Sequence, residues 1–379
     1  MTFVGLMPNS ARVLRFPTRV SDSHLSAAEA VGHAGNYLAV PIEERGEDLR
    51  TANLGNPEIL VELCGLLREQ ANRLPLVVEA EASELYVWLS ARKGSVGLFD
   101  EAHYFLGESA LLVGNASRHL GKREDAERWL DRADSSFRHT VNPAPQMARV
   151  SYARLALRYD MRRYEEVMEF LPSLAHEFQK AGMADDASKC HFLEAMTFKE
   201  LGRAADAAAR LEVLVSALEA RHEAPLRGAA LVNLGDIRSS QGSHELAIGL
   251  YRQAMPLLRS AKRYSALADL KAMLGETLRR TGHVAASAES YREAVKDHLA
   301  LGMLTRATYL RVLLAGVLLE AGQAREAEWE ILAALPTIDE EKMVPEGFAA
   351  VSLLRESVRQ RKTNPLALRE LREHLQTKN

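Results

Sequence analysis

Cysteine is scarce: Cys64 and Cys190 are the only two in 379 residues, and they stand 126 positions apart. Two thiols cannot staple a chain of this length, and they form neither a CxxC pair nor a zinc set. A disulfide scaffold is excluded, and a reducing, cytoplasmic location is expected. No apolar run approaches the roughly 20 residues that a bilayer span needs, so no membrane partner is expected. The first residues are interrupted by Pro8, Asn9, Arg12 and Arg15, where a signal peptide needs an unbroken apolar stretch. Neither sign of charge is in excess: 48 Lys and Arg face 51 Asp and Glu, a net charge of -3. The balance gives no general pull on nucleic acid or acidic lipid. Aromatics are only 6% of the chain, too few to stack many bases, which argues further against RNA.

Enzyme signatures are missing as well. There is no GxGxxG, HExxH or GxSxG. The stretch from Gly114 to Lys122 misses a phosphate loop: Ala116 stands where its first glycine is required, and Arg123 where Ser or Thr must follow. The twelve histidines are scattered, so neither a metal nor another cofactor is expected. His119, His244 and His283 flank turns and read as surface residues. Cys64 and Cys190 lie on apolar helical stripes and read as buried, inert thiols. The chain is expected to be no enzyme.

What the sequence does have is a repeat. Turn phrases recur around Gly121, Gly202, Gly242, Gly282 and Gly322, with gaps of 81, 40, 40 and 40. The 81 is two periods plus one residue, and Met161 stands where the missing glycine is expected. That makes six units. Apolar residues recur at three and four on both sides of each glycine, so each unit reads as two helices. The glycine supplies a left-handed turn between them. Small residues precede it by about seven (Gly114, Ala195, Gly235, Gly275, Ala315) and follow it by five and twelve. A large residue follows by nine: Leu130, Phe170, Leu211, Tyr251, Tyr291, Ile331. Small against large at fixed offsets lets two antiparallel helices approach closely.

These offsets resemble the tetratricopeptide repeat (TPR). Leu234-Gly235, Gly242, Ala247, Tyr251 and Ala254 match its pattern throughout, and Leu274-Gly275, Gly282, Tyr291 and Ala294 nearly so. The period departs from it, being 40 here against about 34. In that respect the chain looks like the long-repeat arrays of bacterial signal-responsive regulators of the MalT or Rap kind. The resemblance implies an all-α fold, a right-handed superhelical solenoid of antiparallel helix hairpins. The expected organisation is an extension with one or two helices over 1–56 and a divergent first hairpin over 57–100. Six repeats over 101–340 and capping helices over 341–379 follow, the caps placed at 346–361 and 366–376.

The resemblance also implies a binding groove. In such arrays the first helices line the inner face, at positions 13, 10, 6 and 3 before the turn. Counted from Met161 in the second unit, these positions single out Asn115, Arg118, Leu155, Arg158, Lys189, Phe192, Met196 and Lys199. In the later units they single out Asp236, Glu276 and Arg279. Arg118, Arg158 and Lys199 form a row of cations with no matching row of carboxylates, which points to an acidic peptide or chain terminus. The competing reading is that cations near a helix C-terminus complement its dipole, with Arg279 paired to Asp236. The leading functional expectation is a protein- or peptide-binding scaffold. The alternative is a sensory module that binds a signalling peptide or small ligand for a partner regulator.

Overall fold

In the computed structural model the residues described are 25–71, 74–92 and 102–363. The part of the expected 1–56 extension that precedes residue 25, and the capping helix expected at 366–376, lie outside them. Among the described residues there are seventeen α-helices, one 3-10 turn and no strand. The chain divides into two compact units, residues 1–214 and 215–379.

The first unit opens with α1 (Ala27–Ala39), whose Ser26 and Glu29 form a capping box. A 3-10 turn (Ile42–Glu44) and α2 (Glu47–Leu54) follow. Then come α3 (Pro57–Gln70), with Asn56 as its side-chain cap, and α4 (Pro75–Ala91). Arg45 ties the 3-10 segment to α4: its guanidinium contacts Glu81 at 2.6 Å and also Glu84, with its side chain fully buried. Next are α5 (Ala102–His119), α6 (Arg123–Phe137), α7 (Ala144–Asp160), α8 (Tyr164–Lys180) and α9 (Ala184–Glu200). The unit ends within α10 (Ala204–Ala220). Its core runs from Leu60, Leu67 and Leu89 through Phe105 to Leu130, Phe137, Leu171 and Phe178.

The second unit contains α11 (Ala224–Ser240), α12 (His244–Ser260), α13 (Tyr264–Arg280), α14 (Val284–Ala300), α15 (Leu304–Glu320), α16 (Ala324–Glu340) and α17 (Val344–Thr363). Tyr251 and Tyr291 are 1% and 2% exposed, beside the fully buried Ala254 and Ala294. Burying an aromatic ring against alanine and glycine draws paired helices together, and it favours folding through the apolar area removed from water.

Each helix from α7 to α16 has 17 residues. Three-residue turns join them, and the middle turn residue is left-handed. These residues are Arg162, Gly182, Gly202, His222, Gly242, Lys262, Gly282, Gly302, Gly322 and Lys342, one every 20 positions. At Gly242 the turn closes as a Schellman motif: Gly242 N donates to Ser239 O at 3.1 Å, and Ser243 N donates to Arg238 O at 2.8 Å. Two 17-residue helices and two three-residue turns make the 40-residue repeat.

One expectation is corrected here. The left-handed residue of the second repeat is Arg162, with φ 61°, while Met161 has φ −84°. Arg163 N closes the turn on Arg158 O at 2.9 Å, as the equivalent residue does at the glycine turns. The odd residue therefore lies in the connection after α6, where six residues (138–143) join it to α7.

Candidate functional site

That one-residue shift re-registers the first-helix face. Counted back from Arg162, the 13, 10, 6 and 3 positions are Arg149, Tyr152, Ala156 and Tyr159. Leu155 and Arg158 are therefore not on the row that holds Asn115, Phe192 and Met196. Leu155 is 3% exposed and sits in a core cluster with Val167 and Leu171. Arg158 turns towards α8, with Nε 3.6 Å from Glu166 and its guanidinium 5.9 Å from the Phe170 ring centroid. The same shift exposes Phe170, expected as the large packing residue, and buries Leu171 in its place.

The expected row of unopposed cations is also corrected. Arg118 Nη1 donates to Asp160 Oδ2 at 2.6 Å, from the next repeat. Lys189 Nζ donates to Asp186 Oδ1 at 2.7 Å, one helical turn back. Arg158 has Glu166, and Lys199 is half-buried at the end of α9. In the second unit Arg279 pairs with Glu276 at 3.0 Å and with Glu320 of the following hairpin at 3.1 Å, and not with Asp236. Asp236 is half-buried on α11. The carboxylates that oppose the early cations lie outside the four counted positions, Asp160 and Glu166 on neighbouring helices and Asp186 one turn back on α9 itself.

What the first unit brings together is a pocket lined by both charged and apolar side chains. Its lining comes from Arg68 on α3 and Ala71 at its C-cap, from Glu108, Leu111, Leu112, Asn115 and His119 on α5, and from Arg149, Tyr152 and Ala153 on α7. Asp186 and Lys189 on α9 complete it. Glu108 is 1% exposed and accepts from two guanidiniums. Arg68 Nη2 lies 2.6 Å from Oε2, Arg149 Nη2 lies 3.2 Å from the same oxygen, and Arg149 Nη1 holds Oε1. Burial opposes ionisation of Glu108, but the paired Arg149 and Arg68 overcome it and hold the carboxyl at about 2. Burial, reinforced by the adjacent Arg118 charge, pushes His119 down to about 3. The contact of Arg118 Nη2 with His119 Nε2 at 3.0 Å fits, because a guanidinium only donates and Nε2 must then accept. His119 is half-buried, not the surface residue expected. Burial raises the Tyr152 hydroxyl, which stays protonated. The Cys64 thiol is pushed up to about 12, chiefly by burial, so it is an unreactive thiol.

Of the residues expected in the groove, Asn115 and Lys189 line this pocket; Phe192 and Met196 are each 5% exposed on α9. Arg68, Arg149, Tyr152 and Asp186 were not foreseen. Arg149 and Tyr152 stand one residue beyond the positions counted from Met161. Arg68 lies in the divergent first hairpin, where no turn glycine sets the register.

Two atoms of the pocket lining are buried without a hydrogen-bond partner among the described residues, the acceptor Asp186 Oδ2 and the donor Arg68 Nε. The pocket has three cations (Arg68, Arg149, Lys189) against two carboxylates (Glu108, Asp186), and each cation is already paired.

No family model matches the chain, and no curated protein matches its sequence. Solved structures do resemble it. A Rap protein complexed with Competence and Sporulation Factor is 13% identical, with TM-score 0.53, over 89% of this chain and 99% of that one. A STAND signal-transduction ATPase with a tetratricopeptide repeat sensor, from Pyrococcus horikoshii, is 14% identical, with TM-score 0.55, over 84% of this chain and 54% of that one. The Rap conjugation gene regulator of plasmid pLS20, in complex with a Phr peptide, is 14% identical, with TM-score 0.50, over 89% and 95%. The fold is thus that of an all-α TPR-like repeat protein, as the turn spacing led one to expect. Among the described residues no helix is long and apolar enough to cross a membrane.

Proposed function

We propose that this chain is a non-enzymatic scaffold that binds a peptide or protein segment along the first-helix face of its first unit. The observation that carries the reading is the pocket on α3, α5, α7 and α9. First helices of successive repeats converge there on buried polar side chains, two of them with unmet hydrogen-bonding atoms. Burying polar groups without partners is unfavourable, so a fold that keeps them in a pocket is suited to a ligand that satisfies them. The acidic partner first expected loses its main support, since Arg118, Arg158 and Lys189 are internally paired.

The second reading is a sensory module of a bacterial regulatory system. Two solved proteins of this fold hold a bound factor or peptide, a Rap protein with Competence and Sporulation Factor and a Rap conjugation gene regulator with a Phr peptide, which favours a short peptide as the occupant. One experiment addresses both. The purified chain is incubated with extract of its native cells, recovered, denatured, and its bound material identified by mass spectrometry. A stable protein partner supports the scaffold; an enriched short peptide supports the sensor. Recovery of neither overturns both.

A further inference from the structure

We infer that this chain pairs with a second copy of itself through the outer face of α17, the two helices lying antiparallel about a two-fold axis. Val344, Phe348 and Val351, spaced by four and three, line that face, and all three are exposed, Phe348 at 74%. Large apolar side chains exposed in a row mark a contact surface. The repeat shows what such a face normally meets. Six residues after the preceding left-handed turn, α9, α11, α13 and α15 carry Ser188, Gly228, Ala268 and Thr308, all small and buried. Thirteen after it they carry Ala195, Gly235, Gly275 and Ala315, again small and buried. The hairpin's own second helix covers both positions: a Cβ on Gly228 would meet Leu258 at 3.2 Å, and one on Gly235 would meet Tyr251. In α17 the same two positions are Phe348 and Arg355, both exposed.

The chain's own tail does not suit that seat. At the 40-residue spacing Leu371 follows Tyr251, Tyr291 and Ile331, and such a residue needs a small one opposite, where α17 has Arg355. His374 stands where Ala254, Ala294 and Ala334 allow close approach. A second α17 needs no close approach, because two Phe-bearing faces interdigitate at the ordinary helix spacing of about 8–10 Å. Leu332 on α16 flanks the seat: its counterpart one repeat back, Arg292, reaches Glu326 of the next second helix at 2.6 Å, and Leu332 is exposed.

Charge sets the direction. Glu340 and Glu341 are exposed beside the start of α17, and Arg355 is exposed about three turns along it. None of the three has an ion-pair partner among the described residues. Parallel copies would set like charges side by side. Antiparallel, Phe348 of each copy faces Val351 of the other, and each Arg355 faces the other copy's Glu340 and Glu341. The contact is self-complementary, so every substitution acts twice. A seat one helix long is small for a specific interface, which places association in the micromolar range.

Sedimentation equilibrium of the full chain, from nanomolar to near-millimolar concentration, tests this. The mass should rise from one chain to two. Phe348→Glu should keep it at one chain throughout. Arg355→Glu should weaken association at least about tenfold, and adding Glu340→Arg and Glu341→Arg should recover it. Circular dichroism establishes that each variant is folded; if Phe348→Glu is not, the charge exchange decides alone. Loss without recovery in the exchanged variant overturns the antiparallel pairing. A two-chain mass indifferent to Phe348→Glu and to Arg355→Glu places the contact elsewhere and overturns the inference. So does a one-chain mass at every concentration. If Leu371→Asp then brings that mass to two chains, the chain's own tail is the occupant; if it does not, the face belongs to a different protein.

Discussion

Gly235 lies directly under the ring of Tyr251: a Cβ built on it would stand 2.5 Å from Cε1 and 2.8 Å from Cδ1. The glycine is there because the ring is. Tyr251, on α12, is nearly fully buried, and α11 can meet it closely only where it has no side chain. Gly235→Leu should therefore force the two helices apart and destabilise the chain by more than about 2 kcal/mol. Thermal or denaturant unfolding measures this, and a variant that melts like the parent refutes the placement.

The left-handed turns give a prediction of opposite sign. Arg162, His222 and Lys262 hold φ of 61°, 57° and 54°, which side chains with a Cβ disfavour. Arg162→Gly should stabilise, by about 0.5–1 kcal/mol after allowing for the extra freedom glycine has when unfolded. Gly182→Ala, at φ 72°, should destabilise by about 1 kcal/mol. Equal melting temperatures for both variants and the parent would contradict the turn assignment.

Glu108 makes stability depend on pH. Its carboxyl is held at about 2 in the fold against about 4.5 when unfolded, so it favours the folded state fully above 4.5 and loses that contribution as pH falls towards 2. The contribution is on the order of 3 kcal/mol. Glu108→Gln should lose about that at neutral pH, because it leaves the half-buried Arg68 and Arg149 without their shared counter-charge, and it should flatten the acid limb. Denaturant titrations at several pH values would show it.

Arg158 should prove irrelevant to binding. Arg158→Glu sets a carboxylate beside Glu166 and should destabilise by no more than about 1 kcal/mol, since the pair is partly exposed. Affinity for a recovered peptide should stay unchanged. Loss of affinity in this variant would restore the cation row as a ligand contact.

The fold was legible because its signals are local. Glycine turns, alanine at five and twelve, and tyrosine at nine all follow from how two adjacent helices touch. The site was less legible for the same reason. Its groups come from four helices, and the register of one turned on recognising Arg162, a residue with no compositional sign of its left-handed conformation. Counting from Met161 moved Arg149 and Tyr152 off the face and placed Leu155 and Arg158 on it. The turns between repeats at His222, Lys262 and Lys342 were hidden likewise, since only Gly182 and Gly302 mark that series. Ion pairs such as Arg118–Asp160, 42 positions apart, leave no mark on a single helix.

The 20-residue spacing of left-handed turns bears on how such a chain can change over generations. A crossover between two points one period apart, such as Gly242 and Gly282, would remove residues 243–282 and rejoin one Schellman turn to the start of an identical one. Recombination could thus add or delete whole units without inventing a junction. The six-residue connection after α6 is out of step with that lattice. Exchanges confined to the stretch beyond α9 leave the pocket's α3, α5, α7 and α9 contributions untouched, so the length of the array and the chemistry of its binding face can vary independently.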